Sequence, residues 1–365
     1  MENSKVYLNI SMTYVPFTAT PLDKLEDTYS TDGYDEYEDN TKMADMFHYI
    51  SIVIYSVAFL LGTTGNGLVI YFTAFKMKRT VNVVWFLNLA IADFIFTFFL
   101  LFSIVHSVLD FHWPFGKFMC MLNTAIISIN LYASIFLLAM ISIDRCTSVM
   151  FPVWCQNHRT PRVASFAALA VWILAFLFSL PYFIFRDTRE TTFNNAITCF
   201  SNFHEDPDVV KSIYKGMIIL RLIFAFIIPF SLIILCYVII MFRIQRNRMK
   251  TSSKPFKIIL AVIISFFICW FPYHVFSFVE LSAMYPGNEH LNNVIRIGIP
   301  LTTSLAFINS CINPVLYVLM GRDFKTRLRK SFRSVLEKAF MEESVPASFR
   351  SKTRLTRSTL DSEQV

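Results

Sequence analysis

The stretch Cys120–Arg145, CMLNTAIISINLYASIFLLAMISIDR, decides the fold. No charge stands between Lys117 and Asp144, and a helix rising about 1.5 Å per residue over this length outreaches a hydrocarbon core of ~30 Å. Its ends therefore belong at opposite aqueous faces. Asn123, Ile127, Asn130, Ser134, Leu138, Ile141 and Arg145 recur at three- and four-residue steps, which puts them on one stripe. Amides and hydroxyls on a stripe are costly against lipid, so this segment is expected to be the buried axis of a helix bundle.

The rest of the chain has the same character: 55% of residues are apolar and 16% charged, too few charges for one soluble core. The apolar runs are Phe47 to Phe75, Asn82 to Leu109, Phe118 to Ile143, Val163 to Phe185, Val209 to Phe242, Phe256 to Leu281 and Val294 to Met320. Each has transmembrane length, which predicts an all-α membrane protein built as a seven-transmembrane helix bundle. An odd number of crossings separates the termini. Lys76, Lys78 and Arg79 follow the first run, Arg243, Arg246, Arg248, Lys250 and Lys254 lie between the fifth and sixth, and the segment after the seventh is basic. The positive-inside rule makes these connections cytoplasmic and the N-terminus extracellular.

On that side lies a polar arm, residues 1–45, with the acidic run Tyr29–Asp39 (YSTDGYDEYED). Its composition does not support a core, so it is expected to be disordered. Asn9-Ile10-Ser11 is a glycosylation acceptor pattern, and Tyr29, Tyr34 and Tyr37 among carboxylates are sulfation candidates. A dense single-sign arm steers a basic partner; a merely solubilising tail is the alternative. Of the seven cysteines, Cys146 and Cys155 fall on the cytoplasmic side and Cys236, Cys269 and Cys311 inside spans. Cys120 and Cys199 are left in the oxidising compartment and are expected to pair, with two free thiols as the alternative.

Gly65-Asn66, Leu89-Ala90-x-x-Asp93, Asp144-Arg145, Trp172, Pro229 with Tyr237, Cys269-Trp270-x-Pro272 and Asn313-Pro314-x-x-Tyr317 occur in order, each in its own span. With these marks the chain resembles the rhodopsin-like, class A G-protein-coupled receptors over every span. Lys76-x-Lys78-x-Thr80-Val81, Trp113-Pro114-Phe115-Gly116 and Pro152-Val153-Trp154-x-Gln156-Asn157-His158-Arg159 are similar to the chemoattractant branch, formyl-peptide and chemerin receptors above all. The resemblance implies a plasma-membrane receptor for an extracellular peptide or protein, signalling through a heterotrimeric G protein of the inhibitory class, receptor kinases and arrestin. A non-signalling scavenger or decoy of the same fold is the rival. Residues 46–320 would form the receptor domain, 321–340 a short amphipathic eighth helix on the lipid surface, and 341–365 a disordered cytoplasmic tail carrying phosphate acceptors.

Asp144 beside Arg145 is expected to hold that guanidinium in an ion pair, and the resemblance makes the pair a latch released by G protein. Trp270, Phe266, Ile135 and Pro229 match the family's relay, with Tyr237, Pro314 and Tyr317 towards the cytoplasm; plain core packing is the alternative for the aromatic residues. Asp93 lies deep in a span and needs partners, which Asn130, Ser134, Asn309 and Asn313 can supply. Oxygen ligands of this kind suit a small hard cation, and similar receptors hold sodium here; a static hydrogen-bond network is the alternative.

The third run offers no counter-ion for an amine ligand. Arg221, in the fifth, instead places a cation about two turns above Pro229, and a buried guanidinium wants a carboxylate fork such as a peptide C-terminus. Snorkelling to the outer surface is the alternative. Glu280, His274, Tyr273, Phe276 and Ser128 complete the expected ligand site, Ser128 standing where formyl-peptide receptors carry a carboxylate. No cofactor other than an allosteric sodium ion is called for. No enzymatic nucleophile, metal motif, transporter-like repeat or nucleic-acid-binding pattern is visible.

Overall fold

The computed structural model describes residues 31–191, 196–247, 253–285 and 291–320, with side chains described from 45 onward except at 247, 253–258, 293 and 316–320. Two units are distinguished, Met1–Leu316 and Tyr317–Val365; of the second, only the backbone of the last helix to Met320 is described. Asn9, Tyr29, the expected eighth helix at 321–340 and the tail at 341–365 lie outside the described residues. So do the side chains of Tyr34, Tyr37 and Tyr317.

Among the described residues seven stretches are long and apolar enough to cross a membrane: Asp45–Lys76, Val81–Val108, Gly116–Met150, Pro161–Ile184, Pro207–Arg246, Ile259–Ala283 and Val294–Val315. The helices are α1 (Thr31–Tyr71), α2 (Val81–Val108), α3 (Gly116–Met150), a short α4 (Pro152–His158), α5 (Pro161–Ile184), α6 (Pro207–Leu222), α7 (Ile228–Asn247), α8 (Ser253–Ala283) and α9 (Leu291–Met320). Sequence sets several of their starts. Thr80, Thr160 and Asp206 cap α2, α5 and α6 by accepting from the N–H of Val83, Val163 and Asp208, and Pro161 and Pro207 occupy first-turn positions where no N–H is needed.

The axis is where the polar stripe put it. Within the most apolar part of α3, 78% of residues are buried, against 22–50% in the other spans. It packs on α2, α5 and α7. Between α6 and α7 the fifth span widens into one π-helical turn, Ile223–Ile227, closed by the Ile228 N–H donating to the Ile223 carbonyl. Pro229, just beyond, has no N–H to continue the ladder, which gives the distortion a local cause.

One feature departs from the expected layout, and a second lies where no secondary structure was expected or excluded. Helix α1 starts at Thr31, inside the arm expected to be disordered to residue 45. Once a membrane span supplies the nucleus, each added residue gains a hydrogen bond at low cost, so the helix propagates into the acidic run. The connection after α5 is a β-hairpin, β1 (Arg186–Glu190) paired antiparallel with β2 (Ile197–Ser201). Backbone groups packed on α3 need partners, and mutual pairing supplies them.

The hairpin is fastened by the Cys120–Cys199 disulfide, with Cα atoms 5.8 Å apart. Trp113 is fully buried against both cysteines, its main-chain N–H donating to the Ile197 carbonyl (2.8 Å) and its indole N–H to the Gly116 carbonyl (2.9 Å). Gly116 sits at φ +76°, which a side chain would strain. Lys117 at the head of α3 pairs with Asp187 of β1 at 2.9 Å. Burial opposes ionisation of Asp187, but the Lys117 contact and the Thr188 and Asn202 donors hold its carboxyl below the usual range.

Candidate functional site

At the disulfide end of the bundle a cavity of about 40 Å³ opens among α3, α5, the hairpin, α6, α8 and α9. Arg221 is 5% exposed at its wall. Its Nη1 donates to Tyr273 Oη at 2.5 Å and to Tyr182 Oη at 3.4 Å, and its Nη2 donates to Ser277 Oγ at 2.6 Å. The guanidinium also lies over the Tyr273 ring, 4.5 Å from its centroid. Snorkelling is therefore not what this arginine does. Glu280 lines the same cavity, with the Tyr214 hydroxyl donating to its Oε2 at 2.5 Å.

A second guanidinium, Arg186 of β1, lies 5% exposed in the cavity wall, and its Nη1 has no hydrogen-bond partner. Burial pushes it down to about 10, partly offset by the facing phenols and Glu280, so it is charged at neutral pH. Two cations and one carboxylate leave the cavity with a surplus positive charge.

Of the expected ligand residues, Arg221, Glu280, Tyr273 and Phe276 are brought together here. His274 and Ser128 are not among the lining residues. His274 is one position round α8 from Tyr273, about 100° away, and its ring packs 5.2 Å from Phe226 in the fifth span. Ser128 is one turn deeper in α3 than Thr124, which does line the cavity, and its hydroxyl has no partner. Arg186, Tyr182, Tyr214 and Thr124 were missed. Only Arg186 carried a signal, as the arginine that opens the charged run RDTRE at the outer edge of a span.

From the cavity an aromatic line runs inward. Tyr273 stands edge-on to Trp270 with ring centres 5.7 Å apart, and Trp270 lies 5.9 Å from Phe266. Ile135 and Pro229 are buried deeper in the same bundle. Mid-membrane, Asp93 is wholly buried; its Oδ1 accepts from Ser310 Oγ and its Oδ2 from Asn313 Nδ2, both at 2.7 Å. Asn130 donates to Ser310 Oγ at 3.4 Å and accepts from Ser134 Oγ at 3.3 Å. Both polar atoms of Asn309 and the Oδ1 of Asn313 are buried without partners. One buried carboxylate beside a serine hydroxyl and an asparagine side chain whose Oδ1 is unpartnered offers oxygen ligands of the kind a small hard cation takes. Among the described residues no cluster of His, Cys, Asp or Glu suits a transition metal.

At the far end of α3 the expected Asp144–Arg145 pair is not formed. Asp144 binds Arg159, and Arg145 donates to Asn82 Oδ1 at 2.6 Å. Adjacent helix residues diverge by about 100°, so a carboxylate facing the connection after α3 leaves its neighbour facing α2.

The pattern of the 7 transmembrane receptor (rhodopsin family) matches residues 65–317. The chain belongs to the rhodopsin family of seven-transmembrane receptors. It is thus a multi-pass membrane protein of a signalling family, not an enzyme. Within this rhodopsin family it is 44% identical to Chemerin-like receptor 1 of Rattus norvegicus over 330 residues, covering 87% of this chain and 86% of that one. It is 44% identical to the Homo sapiens Chemerin-like receptor 1 over 313 residues, 82% of each chain. It is 41% identical to the C3a anaphylatoxin chemotactic receptor of Danio rerio over 363 residues, 98% of this chain and 94% of that one. These relatives place the receptor in the chemoattractant branch.

Proposed function

We propose that this receptor sits in the plasma membrane with the disulfide end outside and responds to a peptide or protein chemoattractant whose anionic terminus enters the cavity between Arg186 and Arg221. The observation that carries the reading is the surplus charge: two buried guanidinium groups face one carboxylate, and that carboxylate is engaged by Tyr214. A ligand carboxylate would complete the fork that tyrosine and serine hydroxyls leave open. Its pressure on Tyr273 would pass through Trp270 and Phe266 to the Arg145 end, where a heterotrimeric G protein of the inhibitory class would dock. Receptor kinases and arrestin would follow. A sodium ion held by Asp93 with Asn130, Ser134, Asn309 and Asn313 would stabilise the resting arrangement.

The relatives' names direct the test. Nucleotide exchange on an inhibitory-class G protein is measured with peptides ending like chemerin and like C3a, each as the free acid. One of them is expected to stimulate exchange, and Arg221→Ala to lower its potency roughly a hundredfold, about 3 kcal/mol, with surface expression unchanged. Silence towards both peptides, with ligand still internalised, would support a scavenger instead.

A further inference from the structure

At the Arg145 end of α3 two guanidinium groups compete for one carboxylate, and the winner lies outside the Asp-Arg motif. Arg159, the residue that follows α4, donates to Asp144 from Nε and from Nη2, each at 2.8 Å. This is the two-point fork that suits arginine to a carboxylate. The Asp144 side chain is 11% exposed and that of Arg159 26%, so the pair is more than a surface contact screened by water. Arg145 is left with a neutral acceptor. Asn82 Oδ1 takes its Nη2 at 2.6 Å and also takes Arg159 Nη2 at 2.7 Å, while Arg145 Nε has no partner.

We infer that Arg159 is a positioning residue that keeps Arg145 uncommitted: by occupying Asp144 it denies Arg145 the carboxylate and leaves it on a shared amide oxygen. A charged acceptor holds a guanidinium more strongly than a neutral one, and two cations on one oxygen repel each other. Arg145 is therefore lightly held, and the strength of the hold depends on the connection that carries Arg159. The start of α2, the end of α3 and the residue after α4 meet at this one knot, so a partner that shifts α4 alters the hold on Arg145. The inference deepens the proposed coupling to G protein and rests on that reading for its effect on signalling.

The test uses the full-length receptor in lipid nanodiscs with an inhibitory-class heterotrimer, reading basal nucleotide exchange and thermal unfolding. Arg159→Ala is expected to lower basal exchange roughly fivefold, because Asp144 then turns to Arg145. Adding Asp144→Asn to Arg159→Ala is expected to restore exchange to the wild-type level or above. If Arg159 only placed α4, the double variant would be as impaired as the single one, and the inference would fail. It would also fail if Arg159→Ala raised basal exchange. Arg159→Lys, which keeps the charge and loses the fork, is expected to fall between, and carries the same rescue test should the alanine variant not fold.

Unfolding cycles decide the competition without any G protein. Asp144 and Arg159 are expected to be coupled in the wild-type background, and Asp144 and Arg145 only once Arg159 is replaced. Coupling of Asp144 to Arg145 with Arg159 in place would overturn the inference. A wild-type receptor that drives no exchange with any agonist would defeat the signalling reading instead, and the unfolding cycles would then decide the competition alone.

Discussion

The two ends of the bundle each hold a pair of arginines, buried at the disulfide end and half-buried at the other, and they differ in what the pair is given to hold. At the disulfide end Arg186 and Arg221 face phenols, a serine hydroxyl and a glutamate engaged by Tyr214. At the other end Arg145 and Arg159 divide one aspartate and one asparagine oxygen. Between them Asp93 shows the reverse arrangement, a carboxylate served by neutral donors. Charge is thus unbalanced at each level, positive at both mouths and negative in the middle. Buried charges without counter-charges are costly, so each is a place where a ligand, a partner or an ion is most strongly rewarded.

This contrast can be broken or sharpened by substitution. The largest effect is expected from Cys120→Ala. Loss of the bridge that fastens the hairpin wall should cost about 2–5 kcal/mol and sharply reduce surface expression, read by flow cytometry. Cys155→Ala, at the other end, should not. Next comes Gly298→Ala: a Cβ there would run into the ring of Phe276, so the ring must move, at about 1–3 kcal/mol of overpacking. Agonist potency should fall while basal exchange is retained. Asp93→Asn should abolish any dependence of agonist affinity on sodium, a few-fold effect in radioligand competition with and without the ion. Unchanged sodium dependence would remove the cation from the middle of the account.

The smallest effect belongs to Lys117→Ala, because Lys117 is largely exposed and pairs are weak there; thermal unfolding should shift by less than about 1 kcal/mol. Asp187 is held below its ordinary value, so its share of this stability is full at neutral pH. It is lost only as pH falls below the usual carboxylate value of about 4 and through the folded one.

Much of this was legible because a bilayer leaves few choices. Backbone groups in lipid must be paired within the chain, so apolar length alone located the spans, and the amides of Asn123 and Asn130 marked α3 as the axis. Cys120 and Cys199 paired because topology left them no other partner in the same compartment. The hairpin was not legible: RDTRE alternates no apolar residues, and its pairing depends on contacts with α3 and the disulfide. Arg186 was overlooked because an arginine at a span edge ordinarily reads as an interfacial charge. The Asp144–Arg159 pair spans a helix end and a loop, which no local pattern reports. The divergence of Asp144 and Arg145 follows from helix geometry, as does that of Tyr273 and His274: adjacent residues on a helix point about 100° apart and so meet different partners.

We propose that the surplus charge at Arg221 receives an anionic ligand end. The most direct measurement is a cycle of agonist potency on wild-type receptor and Arg221→Ala, with one peptide agonist as its free acid and as its C-terminal amide. The amide is expected to be much weaker on the wild type, and the two forms nearly equal on Arg221→Ala. An undiminished preference for the acid in the variant would show that the carboxylate is read elsewhere and would contradict the account.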